Sequence, residues 1–180
     1  MPIEHHGSCL CQGIRFSITG PLAPIQVCHC SQCRQAQGGP FATNIPVDVA
    51  QLRFHAGEAL LNFYASSPGK ERAFCRVCGS PVFSRRASLP GVVRIRAGLL
   101  QEPVAARLGF HAHVASQARW WPVNDALPQY PEGAPAVPPP PPQPEPVCRP
   151  APRCRPTGRA TAREPGASGA RYGGGLTRGT

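Results

Sequence analysis

Between residues 7 and 131 apolar side chains recur in short runs. They often alternate with polar ones and are punctuated by glycine and proline, the period-two mark of half-buried strands. The pattern predicts strands over 13–18, 25–29, 41–47, 52–56, 60–65, 72–74, 81–84 and 92–97. No long apolar stretch at helical period appears. The single helix predicted is short: it starts at Ser31, a good N-cap residue, runs through Gln32 to Gln37 and stops at Gly38-Gly39. The implied fold class is mainly β, with small antiparallel sheets and many turns. Such a domain folds on its own core but gains from cross-links.

Proline and charge set the last part of the chain apart. Residues 135–180 hold twelve of the twenty-four prolines and seven arginines against two glutamates, so +5 of the formal +10 lies there. The preceding 134 residues carry twelve Lys plus Arg and seven Asp plus Glu, the other +5. After Val147 only Leu176 and Tyr172 offer large apolar burial, too little to offset an ordering cost of roughly 1–2 kcal/mol per residue. The expected organisation is a folded domain over 1–134 and a disordered Pro/Arg/Gly-rich tail over 135–180. The proline run there is expected to be stiff and the glycine-rich end flexible.

The first ten residues show no basic segment leading into an apolar run, and no window approaches about 18 uninterrupted apolar residues. The expectation is a soluble, cytoplasmic protein without membrane contact. Nine cysteines in such a chain favour metal binding or thiol chemistry over disulfides, because the cytosol keeps thiols reduced. Cys148 and Cys154 fall in the tail and read as unliganded thiols. The other seven form three clusters: Cys9-Leu10-Cys11, Cys28-His29-Cys30-Ser31-Gln32-Cys33 and Cys75-Arg76-Val77-Cys78-Gly79.

That spacing points to metal. Residues two apart on an extended strand share a face about 6.5 Å apart, close enough for small backbone turns to bring both sulfurs to one ion at about 2.3 Å. In C-x-x-C the thiolates close over a tight turn, and Gly79 permits the dihedrals it needs. Thiolate-only ligation suits Zn²⁺ or an iron–sulfur cluster. A structural zinc takes four protein ligands, whereas a catalytic zinc keeps one position open. Cys28, Cys30 and Cys33 can hold one ion by themselves, leaving Cys9, Cys11, Cys75 and Cys78 for a closed site that ties the N-terminal region to the middle of the chain. The expected cofactor is therefore Zn²⁺ at two sites. A second zinc that is purely structural, completed by His29 or another histidine, is the main rival; a thioredoxin-type redox pair would need a long helix after the strand. His5 and His6 read as solvated residues rather than ligands.

These residues resemble the glutathione-dependent formaldehyde-activating enzyme family, also called the CENP-V/GFA family. The likeness rests on Gly7-Ser8-Cys9-Leu10-Cys11-Gln12-Gly13, on Cys28 to Arg34, on Arg72-Ala73-Phe74-Cys75-Arg76-Val77-Cys78-Gly79-Ser80-Pro81-Val82-Phe83, and on a closing segment from His111 to Trp120 with Leu127-Pro128-Gln129-Tyr130. It implies an Mss4-like fold, a structural zinc on Cys9, Cys11, Cys75 and Cys78, and a second zinc on Cys28, Cys30 and Cys33. It also implies a carbon–sulfur lyase-type activity, the condensation of formaldehyde with glutathione. Two positions depart from the family pattern. Gln117 stands where the closing segment usually carries Lys, removing a partner for a glutathione carboxylate, and Gln101 stands where Asp is usual.

The expected partners are thus a small thiol and a small aldehyde, with oligomeric state open. A metal-held thiolate beside the aldehyde attacks its carbonyl carbon, and proximity supplies most of the gain. Supporting candidates are Ser31, whose hydroxyl and N–H face an anion, Arg34, and His29 as donor behind the ligands or proton carrier. His111 reads as a satisfied strand histidine. The alternative function is a non-catalytic zinc module contacting nucleic acid or protein, with Arg119-Trp120-Trp121 as the stacking surface. For nucleic acid the support is weak, since no Lys/Arg run in the domain exceeds Arg85-Arg86.

Overall fold

Eleven strands and one helix follow one another in a computed structural model that describes residues 3–133; the expected tail over 135–180, with Cys148 and Cys154, lies outside the described residues. The elements are β1 (Glu4–Ser8), β2 (Arg15–Thr19), β3 (Ile25–Cys28), α1 (Ser31–Gln37), β4 (Ala42–Asp48), β5 (Leu52–Ala56), β6 (Leu61–Ser67), β7 (Lys70–Cys75), β8 (Pro81–Arg86), β9 (Val92–Arg96), β10 (Leu108–Ala112) and β11 (Gln129–Tyr130). The mainly β class expected from the pattern is the class observed.

They form two sheets. A three-stranded antiparallel sheet runs β1-β2-β5, and an eight-stranded sheet runs β11-β10-β3-β4-β9-β8-β7-β6. The pairing is antiparallel throughout except at one end of the larger sheet, where β10 lies parallel to both β3 and β11. The core gathers Ile14, Phe16 and Ile18 around the smaller sheet with Ile45, Val47, Phe83, Val93 and Ile95 of the larger one. Alternation explains which side chains go in. In β9, Val93 and Ile95 are buried in the core cluster, Ile95 opposite Ile45 and Val93 opposite Val47, so Arg94 and Arg96 are sent to the other face.

The pattern missed β1, β10 and the two-residue β11, and for the first two the reason is plain. Their sequences, EHHGS and LGFHA, hold too few alternating apolar positions to register as strands, and their partners supply the pairing. One glycine is required by a close approach: at Gly57 (φ 72°) a Cβ would lie 2.0 Å from the Gly13 carbonyl oxygen, so only the bare backbone fits beside the loop that follows Cys11.

Candidate metal centres

The first centre is built where the two sheets meet. β1 ends at Ser8 and delivers Cys9; β7 ends at Cys75. The sulfurs of Cys9, Cys11, Cys75 and Cys78 all lie within 4.8 Å of one another. Cys9 and Cys11 are 3.5 Å apart and Cys11 and Cys75 are 3.9 Å apart, against the roughly 3.8 Å edge of a tetrahedron with metal–sulfur bonds of about 2.3 Å. The residues therefore fit a four-sulfur ion such as zinc, and all seven described cysteines are free thiols. Each arm is a tight turn. The Ile14 N–H donates to Cys9 Sγ at 3.3 Å, and the Gly79 N–H closes the Cys75–Cys78 turn on the Cys75 carbonyl at 2.8 Å, with Gly79 at φ 73°. Ser80 sits beside the last sulfur: its hydroxyl and backbone hold Cys78 down to about 5. Cys9 and Cys75 are buried, while Cys11 is exposed.

The second centre is local. Cys28 closes β3, and the chain stays extended through Cys30 (φ −60°, ψ 150°), so Cys28 and Cys30 share a side while His29 faces away. Cys33 returns on the first turn of α1. The three sulfurs lie within 4.8 Å of one another, Cys28 to Cys30 at 3.6 Å, and among the described residues no histidine or carboxylate joins them. The helix start differs from the expectation. Cys30, rather than Ser31, is the N-cap, because its sulfur takes the Cys33 N–H at 3.4 Å and the C-x-x-C turn itself becomes the first turn of the helix. Within the triplet, hydrogen bonds from Cys30 and Cys33 push the Cys28 thiol up, and hydrogen bonds from Cys28 and Cys30, then the Arg72 charge, hold Cys33 down.

Behind the sulfurs runs a chain of polar groups, two buried histidines ending on an exposed aspartate. His29, fully buried, meets His111 Nδ1 through Nε2 at 2.7 Å, and His111 Nε2 meets Asp125 at 3.0 Å. Phe41 packs edge-on against the His29 ring at 5.6 Å. Burial, then the neighbouring His111, pushes His29 down. His29 is thus not among the gathered donor atoms and turns instead to His111, which is a satisfied strand histidine with partners on both ring nitrogens. Ser31 is exposed, and Arg34 is half buried with its Nε unpartnered; no hydrogen bond brings either to the sulfurs. A third cluster, Glu4, His6 and His55, brings its donor atoms within 4.8 Å on an exposed surface.

The sequence reading set Arg72 near the four-cysteine site and assigned no cation or carboxylate beyond Arg34 to the triplet, where the structure places several. Arg72, 8% exposed, donates through Nη2 to Cys33 Sγ at 3.9 Å. Arg96 is buried and donates to Asn44 Oδ1. Burial pushes Lys70, Arg94 and Arg96 down, while thiolates of the triplet act on all three in the opposite sense. The signal was the alternation of Arg94 and Arg96 with Val93 and Ile95. Asp125 left none, since it comes from an irregular segment.

A cleft of about 570 Å³ opens beside the triplet. It is lined by Cys30 and Gln32, by the turn from Ser67 to Lys70, by Arg86 to Ser88 and by His113. Among the described residues no helix is long and apolar enough to cross a membrane.

The chain is 30% identical over 80 residues to an uncharacterized lyase of Schizosaccharomyces pombe, a match covering 44% of this chain and 56% of that protein. The chain thus spans little more than half the length of the curated relative it matches. A crystal structure of a Rhodobacter sphaeroides protein superposes with a TM-score of 0.46 at 24% identity, covering 57% of this chain and 90% of the other. The family described as glutathione-dependent formaldehyde-activating enzyme matches residues 4–117, the span that contains both cysteine centres, and the chain belongs to that family.

Proposed function

We propose that the chain is a zinc-dependent carbon–sulfur lyase-type enzyme. It adds a thiol, glutathione or a similar one, to a small aldehyde such as formaldehyde at the Cys28, Cys30, Cys33 centre. One observation carries the reading: three sulfurs gathered within 4.8 Å without a fourth protein donor among the described residues, one of them lining an open cleft. On this reading Cys9, Cys11, Cys75 and Cys78 hold a structural zinc.

A zinc ion on the triplet supplies a position for the incoming sulfur and favours its thiolate form. The protein's own groups do the rest. Arg72 holds Cys33 in place through its hydrogen bond. The His29–His111–Asp125 string fixes the end of β3 and hence the direction of Cys28 and Cys30. The cleft receives the body of the thiol and keeps its sulfur near the aldehyde, the proximity that supplies most of the gain. In the reaction the sulfur forms a bond to the carbonyl carbon, the carbonyl π bond breaks, and the oxygen ends with the proton the thiol gave up.

The test is zinc-loaded protein with glutathione and formaldehyde, followed by exchange NMR. Accelerated formation of S-hydroxymethylglutathione that disappears in Cys30→Ser supports the proposal; wild type carrying two zinc ions yet showing no acceleration overturns it. A second reading, a zinc module that contacts nucleic acid or protein, draws on Trp120, 67% exposed beside Arg119. Its partner Trp121 packs edge-on to Phe41 at 6.0 Å, which ties that ring to the wall behind the triplet. Salt-dependent retention on a DNA column by the full chain, with no thiol addition, would favour this second reading.

A further inference from the structure

The small sheet carries polar chemistry of its own on the face turned from the core. Phe16 and Ile18 of β2 belong to the core, so Ser17 between them points the other way. Ser17 is nevertheless fully buried. His6 of β1 lies directly opposite it on one side and Arg53 of β5 on the other. A bulge completes the arrangement. Arg15 pairs with Ala56 and Phe16 with Phe54, which leaves His55 as the extra residue of β5, its ring turned to the Ser17 hydroxyl at 2.7 Å. Glu4, two residues before His6 on the same strand, shares its face.

The result is a cluster of two imidazoles and one carboxylate, with one donor atom of each within 4.8 Å of the others and all three residues exposed. His6 Nε2 stands 3.8 Å from the Glu4 carboxylate. Three protein donors open to solvent on one side suit a transition-metal ion that keeps positions for water. Imidazole favours zinc and its neighbours over calcium and magnesium, which take oxygen ligands. Charge and support agree with that chemistry. The Ser17 hydroxyl, then the charges of His6, His55 and Arg53, hold Glu4 below its ordinary value, so it offers a carboxylate. The same hydroxyl steadies the His55 ring, as partners behind ligating histidines do. Arg53 opposes a metal ion, but it is exposed and solvent screens it.

We infer that Glu4, His6 and His55 form an accessory site for a divalent transition-metal ion of the zinc type, which clasps β1 to β5 across β2. None of its residues belongs to either cysteine centre, and it is independent of the reaction proposed at the triplet. β1 is the margin strand of the small sheet and pairs there with β2 alone. An ion held by β1 and β5 together fastens that margin, and β1 is the strand whose end delivers Cys9 to the four-sulfur centre. Because the donors are exposed, this ion exchanges with the medium, unlike one enclosed by the buried sulfurs of Cys9 and Cys75.

Cobalt added to the zinc-loaded full chain tests this, since Zn²⁺ outranks Co²⁺ for the thiolates and paramagnetic Co²⁺ marks the residues it touches. In imidazole NMR spectra the His6 and His55 ring signals should shift and broaden together, before that of His5, whose ring meets the Gly20 carbonyl at 3.1 Å instead. The His55→Ala and Glu4→Gln variants should each bind cobalt at least about tenfold more weakly, the loss expected even for a group one step behind a ligand. His5→Ala should match wild type. All three substitutions are outside the core, and retention of the sulfur-bound zinc shows that each variant is folded. Saturating cobalt should raise the melting temperature of wild type and leave that of His55→Ala unchanged. Rings that do not respond to cobalt, a response at His6 without His55, or undiminished binding in both ligand variants would overturn the site.

Discussion

The two cysteine centres differ less in chemistry than in how much chain they join. Cys9 and Cys11 meet Cys75 and Cys78 across more than sixty residues, from the end of β1 to the end of β7, and each pair sits in its own hydrogen-bonded turn. Cys28, Cys30 and Cys33 lie within six residues, and their geometry is secured from outside by Arg72 and by the histidine pair. An ion in the first place is a cross-link between sheets. An ion in the second would add almost nothing to chain connectivity, which is why the proposed function gives it the exogenous ligand.

The largest expected contrast follows from this difference. In Cys75→Ser a buried ligand of the cross-link is lost; structural zinc contributes about 10–16 kcal/mol in small zinc peptides, comparable to the roughly 5–15 kcal/mol stability of a whole domain. The variant should lose its cooperative melting transition. Cys30→Ser should melt within a few degrees of wild type, carry one zinc instead of two by native mass spectrometry, and lose about a hundredfold or more of thiol addition. Equal unfolding of both variants would erase the distinction.

Gly57→Ala sharpens the same contrast from the backbone. The new methyl meets the Gly13 carbonyl at 2.0 Å in a left-handed conformation, at a cost of about 2–4 kcal/mol seen as a lower urea midpoint. The triplet's ion should be retained. Arg72→Met acts on the other side: competition with a chromophoric chelator should show the triplet holding its ion about tenfold less tightly, with the four-sulfur ion unaffected. Acidification should release ions because their thiolate ligands must stay deprotonated, and the three-ligand centre should empty first. Asp125→Asn is the mildest change. It weakens a half-exposed hydrogen bond to His111 and should lower stability by about 1 kcal/mol or less in thermal melts.

Much of this contrast was legible before the fold. Chelating pairs announce themselves through spacing alone, since C-x-C and C-x-x-C are local geometries, and the division of seven cysteines into four and three needs only arithmetic. Strands rich in Val, Ile and Phe were equally plain. What stayed hidden depends on partners far away in sequence. β10 becomes a strand through its parallel register with β3, more than eighty residues earlier. Asp125 reaches His111 from a segment without regular structure. The Ser31 cap was misplaced because a hydroxyl is the usual acceptor there, whereas a sulfur one residue earlier takes the N–H. The basic face could have been read. Arg94 and Arg96 alternate with the very residues that identified β9, but a pattern searched only for what goes inside says little about what the opposite side collects.

Position along the chain also becomes order in time at the ribosome. All four sulfurs of the cross-link have been synthesised once Cys78 is made, whereas the brace behind His29 waits for His111 and Asp125. Because β10 and β11 join at one margin of the large sheet, their late arrival completes an edge without disturbing what is already paired. All seven sulfurs of the two centres are therefore made before the histidine and aspartate that brace the triplet, so a chain interrupted between Cys78 and His111 would hold both sets of sulfurs yet lack the support behind Cys28 and Cys30.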